Sequence, residues 1–111
     1  MDERARRIGA NEAVFREINE QVESLNRGMA EISDHQMHIV CECGDLICVE
    51  RLVVPVSKYE EIRSDSALFF IIRGHDKPDV EDVVEQTDAY DVVRKHRGDP
   101  AELAAEADPR S

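Results

Sequence analysis

The sequence predicts an α+β fold, in which a long N-terminal amphipathic helix precedes a small antiparallel β-rich domain with one short helix. Two observations predict it: heptad-spaced apolar residues over positions 1–33, and short β-branched runs separated by turn residues over positions 37–98. With 111 residues and 41% apolar content, the chain can bury only a modest core. Proteins of this size often need a metal or a partner for stability.

The first third is predicted to be one helix with a heptad seam. Its eight a and d residues, of which all but Asn11 are apolar, are Ile8, Asn11, Phe15, Ile18, Val22, Leu25, Met29 and Ile32. Because such a seam is narrow, we expect it to bind a second copy of the chain or a helix of another protein. Asn11 would set the register of that pairing. The alternative is a helix that packs on its own domain.

A hairpin, a short helix and a buried strand are predicted for the middle of the chain, from β-branched content and turn chemistry. These are a strand over 37–43, a Gly44-Asp45 turn, a strand over 46–54, a helix capped by Ser57 with Glu60 completing a capping box, and a buried central strand over 67–72. A second hairpin is predicted for 80–95, with a helix over 79–86 as the alternative.

The chain is therefore expected to divide into three parts. These are a heptad-patterned helix over 1–33, a small α+β domain over 37–98 and a short helical or frayed tail over 99–111.

All three cysteines fall within the motif CECGDLIC. In the predicted hairpin, Cys41 lies directly opposite Cys48, where side chains are closest. Cys43 is two residues from Cys41 and points to the same face of the strand. The three sulfurs would therefore lie together near the tip of the hairpin, as a metal site requires.

His75 is the strongest candidate for a fourth ligand, because tetrahedral zinc binds thiolate and imidazole groups. It follows the apolar strand in a loop marked by Gly74, and Asp76 beside it could orient the ring. The other histidines are weaker candidates. His35 and His38 form an HxxH pair, and His96 lies among basic residues that disfavour a cation.

The C-x-C-x4-C spacing leaves several interpretations open. The cysteines could hold structural Zn²⁺ with His75, remain buried and inert, form a reversible Cys41–Cys48 disulfide, or bind an iron–sulfur cluster. Reduced cytosolic thiols and a small core favour zinc. Four protein ligands would leave no open position on the metal, which indicates a structural rather than a catalytic site.

A formal net charge of −11 argues against nucleic-acid and anionic-membrane binding, which depend on basic surfaces. The sequence shows no apolar run long enough to span a membrane and no signal peptide, so we expect a cytoplasmic protein. Proteins or a cation are the expected partners.

The segments RRIGANEAVFREINEQVESLN, CECGDLIC and YEEIRSD and the Gly74-His75 pair resemble small proteins of high-GC, actinobacterial-type bacteria. Those proteins carry an NExxFRxxNE-like N-terminal helix ahead of a C-x-C-x4-C plus Gly-His domain. The resemblance covers nearly the whole chain. It implies that Cys41, Cys43, Cys48 and His75 form one constellation, and it implies no activity.

No nucleophile elbow, phosphate-binding glycine loop or paired catalytic carboxylates are present, so an enzyme is not expected. The leading hypothesis is an interaction or regulatory module stabilised by structural zinc. The alternatives are a thiol-based redox or metal sensor, and an acidic mimic that blocks a nucleic-acid-binding surface.

Overall fold

The structure is a computed structural model that describes residues 3–30 and 36–110, with the backbone alone at 26–30. It confirms the α+β class. The described elements are α1 (Glu3–Ala30), β1 (Gln36–Val40), β2 (Arg51–Pro55), α2 (Val56–Arg63), β3 (Leu68–Ile71), β4 (Glu81–Gln86), β5 (Asp91–Lys95) and α3 (Asp99–Glu106). None of the described helices is long and apolar enough to cross a membrane.

The described strands form two antiparallel sheets, β1-β2 and β3-β5-β4. In the first sheet Val40 pairs with Arg51, so the predicted strands over 37–43 and 46–54 are too long. The two-residue Gly44-Asp45 turn is also wrong. Residues 41–50, which we call the knuckle, form a loop whose base is closed by Cys41 N–H donating to Glu50 O over 3.1 Å. Cys41 therefore faces Glu50 rather than Cys48.

Strand β3 is fully buried, as predicted, but it lies at an edge of its sheet and not at the centre. Its outer edge is covered by Glu42. The Glu42 N–H donates to Phe70 O, and the Phe70 N–H donates to Glu42 Oε1, each over 2.9 Å. One residue of the knuckle thus supplies the hydrogen bonds that a neighbouring strand would otherwise make.

Helix α2 follows β2 directly, and the predicted capping box at Ser57 and Glu60 is wrong. Pro55, in an extended conformation with φ −66° and ψ 144°, is the N-cap, and no side chain caps the helix. Since proline lacks an N–H and its φ suits a helix entry, the chain turns from strand to helix at this point.

The predicted hairpin of the last third is confirmed. Strands β4 and β5 pair with Val83 opposite Val93, and a bulge follows at Val83–Glu85. The helical alternative over 79–86 is therefore wrong. Beyond the hairpin, the tail forms α3, which packs against α1 and β5.

Helix α1 lies against β1, α2 and α3 of its own chain. Along with Ile8 it buries four polar or charged residues at helical spacing, Glu12, Arg16, Asn19 and Glu23, which we call the polar stripe. Glu12, Arg16 and Asn19 each form a hydrogen bond with a residue of another element or loop. Glu12 Oε1 binds Lys95 Nζ at 2.7 Å, Arg16 donates to Ser66 O and Ala104 O, and Asn19 hydrogen-bonds with Val40 and Glu42.

Candidate metal centre

The knuckle and the loop after β3 bring four metal-ligating side chains together. Cys41, Cys43, Cys48 and His75 each offer one ligand atom, and all of these atoms lie within 4.8 Å of one another. Cys41 and Cys43 are buried, while Cys48 and His75 are partly exposed. The predicted proximity of these four side chains is confirmed, although a curved loop rather than a regular hairpin produces it.

The imidazole of His75 presents Nδ1 to the sulfurs. Its distance is 3.6 Å to Cys41 Sγ and 3.7 Å to Cys48 Sγ. Tetrahedral zinc, with Zn–S bonds of about 2.3 Å and Zn–N bonds of about 2.0–2.1 Å, holds a sulfur and a nitrogen ligand about 3.6 Å apart. These two S···N distances therefore fit a tetrahedral ion of this size, and three sulfurs with one imidazole suit zinc chemically.

Backbone N–H groups surround the sulfurs. The Ile72 N–H donates to Cys41 Sγ over 3.2 Å. The backbone of Asp45 hydrogen-bonds to Cys43, and that of Glu50 to Cys48, in each case from two residues further along the chain. Such bonds stabilise negative charge on sulfur and fix the direction of each ligand, as donors around metal ligands commonly do.

Two glycines with positive φ shape the loops that carry the ligands. Gly44, at φ +81°, reverses the chain after Cys43, and Gly74, at φ +83°, precedes His75. Gly44 also contacts α1, because a Cβ there would lie 3.0 Å from Ile8 O. Asn11 Nδ2 donates to Gly44 O over 2.9 Å. The knuckle and the N-terminal half of α1 are therefore in direct contact.

The pKa values of the three thiols differ. A hydrogen bond with the Cys41 thiol is the main cause that lowers the pKa of Cys43 to about 4, and the same bond, with burial, raises the pKa of Cys41. Burial raises the pKa of Cys48. Cys43 is therefore the first of the three to become a thiolate, the form that binds metal.

Asp76 directly follows His75, and its role in orienting the ring stays a prediction. The other predicted histidines that the structure describes lie outside the cluster. His38 is exposed on β1, and His96 pairs with Asp82 at 3.2 Å. His35 lies outside the described residues.

The residues of the predicted helix seam do not share one free face. Ile8 is buried, Val22 packs against the core, and Asn11 hydrogen-bonds to the knuckle. Phe15 is half-buried, whereas Ile18 and Leu25 are exposed. The side chain of Met29 and all of Ile32 fall outside the described part of the chain.

Sequence reasoning missed the polar stripe of α1. The signal was present as polar residues with the spacing 12, 16, 19 and 23, which places them on one helix face. The heptad prediction considered only the apolar positions and therefore did not identify this polar face. The sequence also placed Leu46, Ile47 and Val49 in a strand, whereas all three are exposed on the knuckle.

The fold and the cluster define the class: an α+β protein with a Cys3His group spaced to hold a metal ion. No protein-family model, curated protein or solved structure matches the chain.

Proposed function

We propose that the protein is a non-enzymatic, cytoplasmic interaction or regulatory module stabilised by structural Zn²⁺. The observation that carries this proposal is the closed set of four donors, Cys41, Cys43, Cys48 and His75. Four protein ligands fill a tetrahedral shell, whereas a catalytic zinc keeps one position for water or substrate. Three thiolates also supply electron density to the metal and make it a poor Lewis acid.

The location of the cluster supports a structural role. The cysteines belong to the knuckle, His75 belongs to the loop after β3, and Glu42 between the cysteines binds the edge of that strand. A metal at this point would tie the first sheet to the second. Because a chain of 111 residues has a small core, such a tie contributes a large share of its stability.

Zinc content tests this proposal directly. Protein purified without added metal is expected to contain one zinc per chain by mass spectrometry, and Cys43→Ser and His75→Ala are expected to lose it. The matched control is His38→Ala, which removes an exposed histidine outside the cluster and should keep the metal. A wild-type protein that folds without metal would contradict the proposal, as would His75→Ala protein with full zinc content.

For the partner we propose a second copy of the chain, contacted through the outward side of α1. Support comes from Val14, Ile18 and Leu25, which are exposed on one side of the helix, Leu25 by 83%. Half-buried Phe15 lies next to them in sequence and would extend the contact.

Light scattering tests the self-association. The wild type is expected to be a dimer, and Leu25→Glu is expected to be a folded monomer, because an unpaired charge at a helix interface is costly to desolvate. Val84→Glu, at an exposed position on β4, is the control and should remain a dimer. A monomeric wild type would overturn this part of the proposal and leave the zinc site unaffected.

A further inference from the structure

The knuckle carries an exposed apolar surface. Leu46, Ile47 and Val49, which we call the knuckle tip, are 70%, 85% and 85% exposed. Single apolar residues on a surface are ordinary, but three large aliphatic side chains within four positions form a patch. These three side chains do not contribute to the core. Because the core of this chain is modest, their exposure indicates a role in binding rather than in folding.

The tip is held in one shape. Leu46 and Ile47 lie between two of the candidate ligands, Cys43 and Cys48, and Val49 follows Cys48 directly. The Cys48 N–H donates to Asp45 O over 3.0 Å. Asp45 Oδ1 accepts the Ile47 N–H over 3.1 Å, which closes a turn inside the loop. Asn11 holds Gly44 from the side of α1. An apolar surface fixed in this way loses little entropy when a partner binds.

A basic cleft lies beside the tip. It has a volume of about 300 Å³ and is lined by Leu46 together with Arg4, Arg7 and Lys77, among other residues. Asp79 pairs with Arg4 and Asp45 also lines the cleft, so Arg7 and Lys77 together leave an excess of one positive charge. The Lys77 ammonium also donates to Cys43 O over 2.7 Å, which places a cation at the base of the knuckle. In a chain of net charge −11, this grouping of cations is a local reversal of sign.

We propose that the knuckle tip and this cleft bind an acidic, apolar peptide segment of a partner protein. An aliphatic or aromatic side chain would cover Leu46 and Ile47, and an adjacent carboxylate would reach Arg7 and Lys77. The inference rests on the proposed function, since the zinc site shapes the loop. The acidic remainder of the chain repels a uniformly acidic partner, so a short segment is the form that fits.

A peptide-display selection tests the inference. Random 12-residue peptides on phage are selected against the zinc-loaded full chain, and the most enriched sequence is synthesised and titrated by fluorescence anisotropy. Enriched sequences are expected to combine Leu, Ile, Val or Phe with Asp or Glu. Affinity should fall at least tenfold in Ile47→Ser and in Arg7→Glu, and it should weaken as salt is raised.

Val84→Ser and Arg97→Glu are the controls. Each changes an exposed residue outside the cleft and should leave the affinity unchanged. Enrichment of basic peptides, absence of enrichment, or equal affinities of Ile47→Ser and wild type would overturn the inference. Ile47-dependent binding to phosphatidylcholine vesicles without peptide enrichment would also overturn it, in favour of a lipid surface.

Zinc content and circular dichroism of the same samples separate the two proposals. A folded protein with one zinc per chain and no peptide binding would refute the docking surface and leave the zinc module standing. A protein without zinc would refute both.

Discussion

The knuckle and helix α1 both expose aliphatic side chains, but they bury different kinds of group. The knuckle buries two cysteines and exposes Leu46, Ile47 and Val49. Helix α1 exposes Val14, Ile18 and Leu25 and buries its polar stripe. In the usual arrangement of a small domain, the apolar side chains would be inside and the charged ones outside.

Different forces allow these two reversals. In the knuckle the donor set and the N–H···S bonds define the shape, so the tip residues are not needed to hold the loop together. At α1, buried charges must find partners, as Lys95 does between Glu12 and Glu81 at 2.7 and 3.1 Å. Buried ion pairs of this kind add little net stability, but removing one member is costly. The proposed metal would therefore hold one region, and the other depends on the pairing of its buried charges.

Removing the metal should have the largest effect, because it acts on the knuckle and through it on both sheets. Structural zinc contributes roughly 10 kcal/mol or more in small domains, which compares with about 5–15 kcal/mol for a whole domain. We expect a strong chelator to unfold the protein at 25 °C, with loss of circular dichroism signal and of dispersed amide resonances, and added zinc to restore both. A chelated protein with an unchanged spectrum would show that the knuckle is held without metal.

Removing the buried cation that contacts Glu12 and Glu81 beneath helix α1 should have the next largest effect on stability. Lys95→Met leaves Glu81 buried without its cation and removes the donor to Glu12 Oε1, and such changes cost about 3–5 kcal/mol. The control is Arg94→Met on the same strand, where an exposed ion pair with Asp65 contributes under about 1 kcal/mol. Urea unfolding of the zinc-loaded proteins measures both. Equal losses for the two variants would mean that the buried pairing is not important for stability.

Gly44 joins the two regions, and a smaller effect is expected there. Gly44→Ala imposes a left-handed backbone on alanine, at about 1–2 kcal/mol, and places a methyl group 3.0 Å from Ile8 O. The crowding adds about 1–3 kcal/mol. Gly74→Ala is the control, since it has a similar φ of +83° and nothing within 4 Å of the added Cβ. If the two variants melt at the same temperature, the knuckle and α1 are not in tight contact.

Per pH unit, the smallest change in stability is expected from the titration of Glu12. Burial, more than any other cause, raises the pKa of Glu12 to about 8, with Glu81 adding to the rise and Lys95 opposing it. Between about pH 4.3 and pH 8, the folded state then holds a proton that the unfolded state has lost. The free energy of unfolding therefore falls as pH rises, by up to about 1.4 kcal/mol per pH unit.

Glu12→Gln removes this titrating group, so it should reduce the slope of unfolding free energy against pH by up to about 1.4 kcal/mol per pH unit, the contribution of one proton. Urea unfolding of zinc-loaded wild type and variant between pH 5.5 and pH 8 measures the difference, and the metal ligands titrate alike in both proteins. Parallel curves for the two proteins would contradict a raised pKa at Glu12.

The elements that follow a regular period could be predicted from the sequence. The helix of the first third, the β4–β5 hairpin and the buried strand β3 each show a local pattern that tertiary structure preserves. The edge position of β3 could not be predicted, because Glu42, a charged residue from a distant loop, covers its outer edge. The rule for two-residue turns failed at Gly44, because it assumes that the ladder continues, whereas residues 41–50 curve to gather the sulfurs.

The grouping of the four candidate metal ligands could be predicted because their chemistry is rare in the chain. Cys41, Cys43 and Cys48 are its only cysteines, and His75 lies in a glycine-marked loop. The inward face of α1 could not be predicted from heptad counting. Arg16 and Glu12 lie inside, where Arg16 donates to Ser66 O and Ala104 O and Glu12 Oε1 accepts from Lys95. Those partners are more than 45 residues away, and no local pattern indicates them.

The central claim is that zinc, bound by three cysteines and one histidine, holds the knuckle. X-ray absorption at the zinc edge, on protein purified without added metal, measures this most directly. We expect a four-coordinate shell with three sulfurs at about 2.3 Å and one nitrogen at about 2.0–2.1 Å. His75→Ala should replace or lose the nitrogen. A protein without zinc, or a shell containing a water ligand and fewer than three sulfurs, would contradict the claim.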